Sequence, residues 1–327
     1  MSTSLAARRV AGDALPIVDV SGLCSPDFET RKSVGTQLRA ACEDKGLFYC
    51  AGHGIPQGLI DAVFAEAKAF FDQPEETKLR IEKSKVSKAN RGYEVLGGQV
   101  LEAGTPPDRK EGYYIGLELP ADDPRVTAGR FNRGPNVWPE GLPGFEPTMA
   151  AYYEAMRRLA QRLMKGIALS LDLDESYFDT FNKDPVATLR LLHYPPQREN
   201  AAPDEKGAGA HTDWGALTLL LQDDVGGLQV HDKTTGEWIH ADPVPGTFVV
   251  NLGDALAHWT NDLYKSTLHR VVNASGRERY SVPYFYDGDA DYEVTCIPTC
   301  LKPGEKPKYA PITVEGHLMN MYKKSYG

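Results

Sequence analysis

The chain has 327 residues, 41% hydrophobic and 25% charged, with a formal net charge of −9. That length permits one large domain or two small ones around a substantial core. The acidic balance argues against nucleic acid or an anionic membrane surface as partner, because both select basic faces. Five scattered cysteines (Cys24, Cys42, Cys50, Cys296 and Cys300) give no disulfide framework and no paired zinc motif. They read as reduced, mostly buried thiols of a cytoplasmic protein. No apolar stretch is long enough for a signal peptide's central region or for the roughly 18–20 residues of a membrane span.

In chain order, residues 16–23 (PIVDVSGL) read as a strand, and 31–45 carry helical spacing ended by Gly46. Residues 47–50 (LFYC) form a strand, and Pro56 opens an amphipathic helix to about Phe71. Residues 84–143 are rich in Gly, Pro and polar residues, with NRGY (90–93) and DRKEGYYIG (108–116) as ordered pieces. So long a stretch with little periodicity is often functional. One long helix is predicted from Phe145 to Leu173, with Met156, Leu159, Leu163 and Ile167 on its apolar face.

Beyond Asp184 short apolar runs recur about every ten residues between turn formers: TLRLLHY, ALTLLLQ, GLQVHD, EWIHA, TFVVNL, STLHRVV, RYSVPYFY and YEVTCI. That rhythm predicts an antiparallel sandwich or barrel, and a helix from Val314 closes the chain. The fold class expected is mixed α+β, a jelly-roll (double-stranded β-helix) core supported by helices. The expected division is an α/β region with a lid loop over 15–140, supporting helices over 145–182, the jelly roll over 184–298 and a C-terminal segment over 299–327.

His211 and Asp213 stand at the mouth of an apolar run. On one strand, residues two apart share a face, so imidazole and carboxylate converge to hold one ion at ~2.0–2.2 Å. A third ligand must come from another strand. His231, His240, His258 and His269 lie downstream, of which His269 sits in the most strand-like run and His258 follows the NLGD turn. Two histidines and a carboxylate leave coordination positions open, an arrangement associated with non-haem Fe(II) enzymes. An isolated His-x-Asp is a weak signal, since most are surface turns.

Arg279 and Ser281 strengthen it. They share a face of the next strand, expected to run antiparallel to the one carrying His269, and together form a receptor for a carboxylate. The run they open is apolar and aromatic, and arginine is seldom buried without an anionic partner.

HTD (211–213), LHRVV around His269, RYS (279–281) and HYPP (193–196) occur in one order, with GLQV (227–230) and NLGD (251–254) between them. PIVDVSGL, GHGIP (52–56), NRGY and the D-x-K-E of 108–111 precede them. In these motifs the chain resembles the iron- and 2-oxoglutarate-dependent oxygenases of the isopenicillin N synthase-like group, over nearly its whole length. The resemblance implies His211, Asp213 and His269 as Fe(II) ligands. It implies Arg279, Ser281 and Tyr194 as the grip on the distal carboxylate of 2-oxoglutarate, and O2 as the oxidant. His193 stands where many plant relatives have Asn, a departure expected to alter contacts near the cosubstrate. The implied reaction oxidises, most simply hydroxylates, a C–H bond of a small molecule and releases succinate and CO2.

NRGY, D-x-K-E-x-Y-x-I-G, LRLLHYP and STLHRVV are most similar to thymine 7-hydroxylase-like members. If the likeness extends to the pocket, Asn90 and Arg190 hydrogen-bond a heterocycle and Phe285 stacks on it. Trp214, standing where a Tyr is expected, then shifts the ring. His53 and His317 read as structural. The competing readings are an isopenicillin N synthase-like oxidase that does without 2-oxoglutarate, a non-catalytic jelly-roll binder and a zinc hydrolase. The substrate, the oxidative outcome and the oligomeric state stay open at this level.

Overall fold

The computed structural model describes residues 5–9, 15–197, 202 and 204–326. Its N-terminal part runs β1 (Ile17–Asp19), α1 (Phe28–Asp44), β2 (Leu47–Ala51) and α2 (Gln57–Phe71). The Asp27 side chain accepts from the Thr30 amide and caps α1, which therefore starts three residues before the periodicity indicated. Strand β1 is shorter than expected, because Ser21–Cys24 turns into a 3₁₀ segment. Gly46 has φ +62°, and a Cβ there would lie 1.8 Å from the Lys265 carbonyl oxygen, so only glycine passes from α1 into β2 at this point.

Within the expected lid lie β3 (Gly92–Glu94) and β4 (Glu111–Gly116). The long helix spans Phe145–Ser170. Then follow β5 (Pro185–Tyr194), β6 (Ala208–His211), β7 (Leu217–Gln222), β8 (Leu228–Asp232), β9 (Glu237–His240) and β10 (Phe248–Leu252). After these come β11 (His269–Val271), β12 (Arg279–Asp289) and the C-terminal helix Val314–Tyr326.

Two sheets form the core. The larger has the order β1-β2-β10-β7-β12-β5-β4-β3, the smaller β6-β11-β8-β9. Strands before residue 120 thus extend both edges of the large sheet, so the expected division near residue 140 does not divide the sheet. The stretch expected to be lid is partly built into the architecture.

Burial follows the two-residue period of a strand. Val282, Tyr284 and Tyr286 of β12, with Leu189 and Leu191 of β5, pack into the core shared with α1, α2 and the long helix. Leu192, Tyr194, Leu220 and Val249 turn the other way and pack against Leu228, Val230, Ile239 and Val271 of the small sheet. The space between the sheets is where inward polar side chains meet. This is the double-stranded β-helix, helices outside and site within.

Of the cysteines, which are all free, Cys42 and Cys50 are buried, Cys296 and Cys300 are partly exposed and Cys24 is exposed, so the expected general burial does not hold. Cys24 escapes it in the exposed 3₁₀ turn. Among the described residues no helix is long and apolar enough to cross a membrane.

Candidate metal centre and its two cavities

His211 ends β6 and pairs directly with His269 of β11. Asp213 does not share a strand face with His211, as its spacing suggested; it lies two residues past the strand's end. There the backbone leaves the ladder: the Asp254 amide donates to the Asp213 carbonyl and the Gly253 amide to that of Ala216. Convergence is produced by this turn instead of by strand pleat. Ligand atoms of His211, Asp213 and His269 lie within 4.8 Å of one another, and they form the one such group among the described residues.

The three side chains are pre-oriented. His211 Nδ1 lies 2.7 Å from the Gly209 carbonyl and His269 Nδ1 3.0 Å from that of Thr267. Carbonyls only accept, so both Nδ1 atoms carry the proton and both Nε2 lone pairs are left for a cation. Asp213 Oδ2 accepts from Asn251 Nδ2 at 3.1 Å, and Oδ1 lies 3.7 Å from His269 Nε2 and 4.0 Å from His211 Nε2. Burial, reinforced by the His269 imidazole, lowers the pKa of His211 and keeps it neutral. Two imidazoles presenting Nε2 and one carboxylate suit a divalent transition metal, and with three protein donors they leave positions for small ligands.

The other histidines are elsewhere. His258 stacks on Tyr309 at 3.9 Å, His53 meets Phe248 edge-on and His231 meets Trp238. His240 approaches Asp242, and His317 donates from Nε2 to the Trp214 carbonyl.

Two cavities meet at this centre, sharing Leu101, Arg190, His211, Asp213 and Phe285 in their walls. The inner one, about 490 Å³ including its opening, is also lined by Tyr194, His269, Arg279 and Ser281. Strand β12 does not run beside β11, as expected from sequence. It lies in the opposite sheet, between β7 and β5, because residues 272–278 cross over, and Asn273 Nδ2 bonds the Tyr194, Pro195 and Arg277 carbonyls on the way.

Arg279 is fully buried. It donates to the Gly226 carbonyl, Ser281 Oγ and Gln222 Oε1, and its guanidinium sits 4.7 Å from the Tyr194 ring centroid. All these hydrogen-bond partners are neutral, so a buried cation faces the inner cavity with capacity for an anion. Gln222 and Asn251 belong to this arrangement; Gln222 lay in no motif, and Asn251 opened the NLGD motif without a role assigned to it. Their inward position on β7 and β10 follows from the same two-residue period. His193 points to the other face of β5, toward Glu111 and stacked on Tyr280, so it does not reach the cosubstrate side as expected. Successive strand residues face opposite ways, and Tyr194 takes the inner one.

The outer cavity, about 820 Å³ including its opening, is lined by Asn90, Arg190, Trp214 and Phe285, all four residues assigned to substrate from sequence. Arg190 is engaged with Glu94 at 3.0 Å and lies over the Tyr114 ring at 4.3 Å. Asn90 adopts φ 55° and its Oδ1 accepts from Tyr322 of the C-terminal helix at 3.4 Å. Leu318 and Tyr322 of that helix complete the wall, with Lys83, Phe131, Asn132 and Asp287. Sequence reading missed the C-terminal helix as a wall. Its amphipathic spacing is visible, but what it covers is not.

The class so defined is a double-stranded β-helix protein with a two-histidine, one-carboxylate group that could hold a metal and a buried arginine able to take an acid group. Comparisons agree. Residues 15–141 match the family described as non-haem dioxygenase in morphine synthesis N-terminal, and 185–288 match the 2OG-Fe(II) oxygenase superfamily. A 2-oxoglutarate-Fe(II) type oxidoreductase of Emericella nidulans is 48% identical, over 97% of this chain and 92% of its own. A 2-oxoglutarate-dependent dioxygenase of Monascus ruber is 41% identical, over 95% of each. Among solved structures, a Neurospora crassa protein crystallised with α-ketoglutarate and thymine superposes with a TM-score of 0.84 at 32% identity, covering 96% of this chain and 98% of that one.

The chain belongs to the 2-oxoglutarate- and Fe(II)-dependent oxygenases. It is an oxidoreductase that uses Fe(II), 2-oxoglutarate and O2. The zinc-hydrolase and non-catalytic readings give way to this membership.

Proposed function

We propose that His211, Asp213 and His269 hold the ferrous ion, that Arg279 and Ser281 beside Tyr194 take the distal carboxylate of 2-oxoglutarate, and that a small planar heterocycle is hydroxylated in the outer cavity. The observation that carries this reading is the joint wall: His211 and Asp213 border both the cavity holding buried Arg279 and the cavity open to solvent. One side suits a dicarboxylate, the other an organic molecule.

Bound iron supplies the activation of O2, coupled to decarboxylation of the cosubstrate. The protein's part is orientation. Asn251 and the Gly209 and Thr267 carbonyls fix the three ligands in aim, which limits reorganisation when the metal binds. Arg279 offers a fork of donors to an acid group, and Ser281 adds a hydroxyl. Phe285 stands between the two cavities, where its ring can hold a flat molecule near the metal, with Trp214, Asn90 and Arg190 around it. Leu318, Phe131 and Leu101 add an apolar part of the wall that helps exclude water. We place this activity in the cytoplasm, where free thiols stay reduced.

The test is anaerobic loading with Fe(II) and 2-oxoglutarate, then admission of O2 with a panel of heterocycles and assay of succinate. Substrate-dependent succinate from the wild type, and its loss in Asp213→Ala together with bound iron, is the expected result. Unchanged iron content in Asp213→Ala sinks the ligand assignment. O2 uptake without succinate points to an isopenicillin N synthase-like oxidase.

A further inference from the structure

The inward face of β12 carries Arg279, Ser281, Pro283, Phe285 and Asp287 in two-residue steps. The first four line the inner cavity, and Phe285 and Asp287 line the outer one. The strand therefore runs from the cosubstrate receptor to the substrate cavity, and Asp287 sits at the irregularity where the ladder with β5 shifts register, between Tyr286 and Gly288.

Asp287 is 8% exposed, yet its carboxyl has no hydrogen-bond partner among the described residues; burial, and secondarily the Asp213 charge, push it up to about 7. Lacking a protein partner, this carboxyl turns to water or to a ligand in the cavity it lines. Its surroundings are shaped to leave it there. A Cβ on Gly215 would lie 1.9 Å from Asp287 Oδ1, so the metal-side turn makes room for this side chain by having none of its own. Lys83 and Arg190, which also line the cavity, are both held by Glu94, at 2.8 and 3.0 Å, and neither bonds Asp287.

We propose that Asp287 is a substrate-positioning residue that accepts a hydrogen bond from a ring N–H, and that the substrate is an N–H heterocycle. Its N–H faces Asp287, while Phe285, one inward step away, takes the flat face. A carboxyl oxygen accepts this bond whether or not the group carries its proton. The inference rests on the outer cavity being the substrate site.

The test is calorimetric titration of the anaerobic holoenzyme, loaded with Fe(II) and 2-oxoglutarate, with uracil and 2-pyridone against 1,3-dimethyluracil and 1-methyl-2-pyridone. Wild type is expected to prefer the N–H forms at least about tenfold. Asp287→Asn, which keeps an acceptor, is expected to hold most of that preference, and Asp287→Leu to reduce it to threefold or less. Cosubstrate binding reports folding of each variant; if Asp287→Leu does not fold, the wild-type and Asp287→Asn titrations decide. Equal binding of the N–H and N-methyl forms by wild type, undiminished preference in Asp287→Leu, or no binding of any N–H ring overturns the proposal. In those cases succinate formation by the wild type with another substrate leaves the oxygenase reading standing. Failure to bind iron and cosubstrate removes both.

Discussion

His211 and His269, 58 residues apart in the chain, are direct partners across β6 and β11, with imidazole centroids 4.3 Å apart. The pairing places two Nε2 lone pairs on one side of the small sheet. Asp213 then needs only the turn after β6 to bring its carboxylate between them.

The support behind Asp213 is a single amide. Asn251→Ala removes the 3.1 Å bond to Oδ2 without touching a ligand. Iron affinity is expected to fall roughly 10–100-fold, as for other outer partners of metal ligands. Competitive titration with a fluorescent chelator measures it, and an unchanged affinity means that the turn alone aims Asp213.

Arg279→Lys keeps the charge and loses the fork. Hydrogen bonds to charged groups contribute about 1.5–3 kcal/mol each, so the dissociation constant for 2-oxoglutarate is expected to rise about 10–100-fold. Iron content stays as in wild type, because no metal ligand contacts the guanidinium in the described hydrogen bonds. Equilibrium binding of the cosubstrate checks the first statement and metal analysis the second.

Leu318→Trp fills part of the outer cavity from the C-terminal helix. Substrate-driven succinate formation is expected to fall at least about tenfold, since near-attack placement tolerates little displacement, with iron and cosubstrate affinities unchanged. If turnover with substrate persists, the helix does not bound the substrate site.

Asp287 makes the metal-free protein's stability depend on pH. Its folded pKa, about 7, lies above the unfolded value near 3.8. Between those values the folded state binds more protons, so stability falls as pH rises from about 4 to 7. Asp287→Asn is therefore expected to gain stability relative to wild type on going from pH 4 to pH 8, by at most about 4 kcal/mol. Denaturant unfolding of the apo forms at the two pH values tests the sign. A wild-type protein that loses nothing relative to Asp287→Asn over that range refutes it.

Strand positions were legible because alternation is local: RYSVPYFY and TLRLLHY show which residues share a face before any partner is known. The same locality explains the errors. Asp213 follows His211 with strand spacing, but the bonds from residues 253–255 pull that backbone out of the ladder. Strand β12 follows β11 in sequence, yet the Asn273-centred crossing sends it to the other sheet. Neither event has a local signal.

By itself the sequence settled the chemistry on offer: a His-x-Asp pair, a downstream histidine in a strand-like run, and an Arg-x-Ser pair set in apolar strand. These are short-range facts, carried by residue type and two-residue spacing. Tertiary structure alone decided which sheet holds the arginine, that a turn and not a strand face aims Asp213, that Gln222 and Asn251 orient the key groups, and that the last helix walls the outer cavity. Those choices depend on strand pairing and crossing between residues far apart in the chain, where the stability comes from packing between layers and no single stretch encodes the partner.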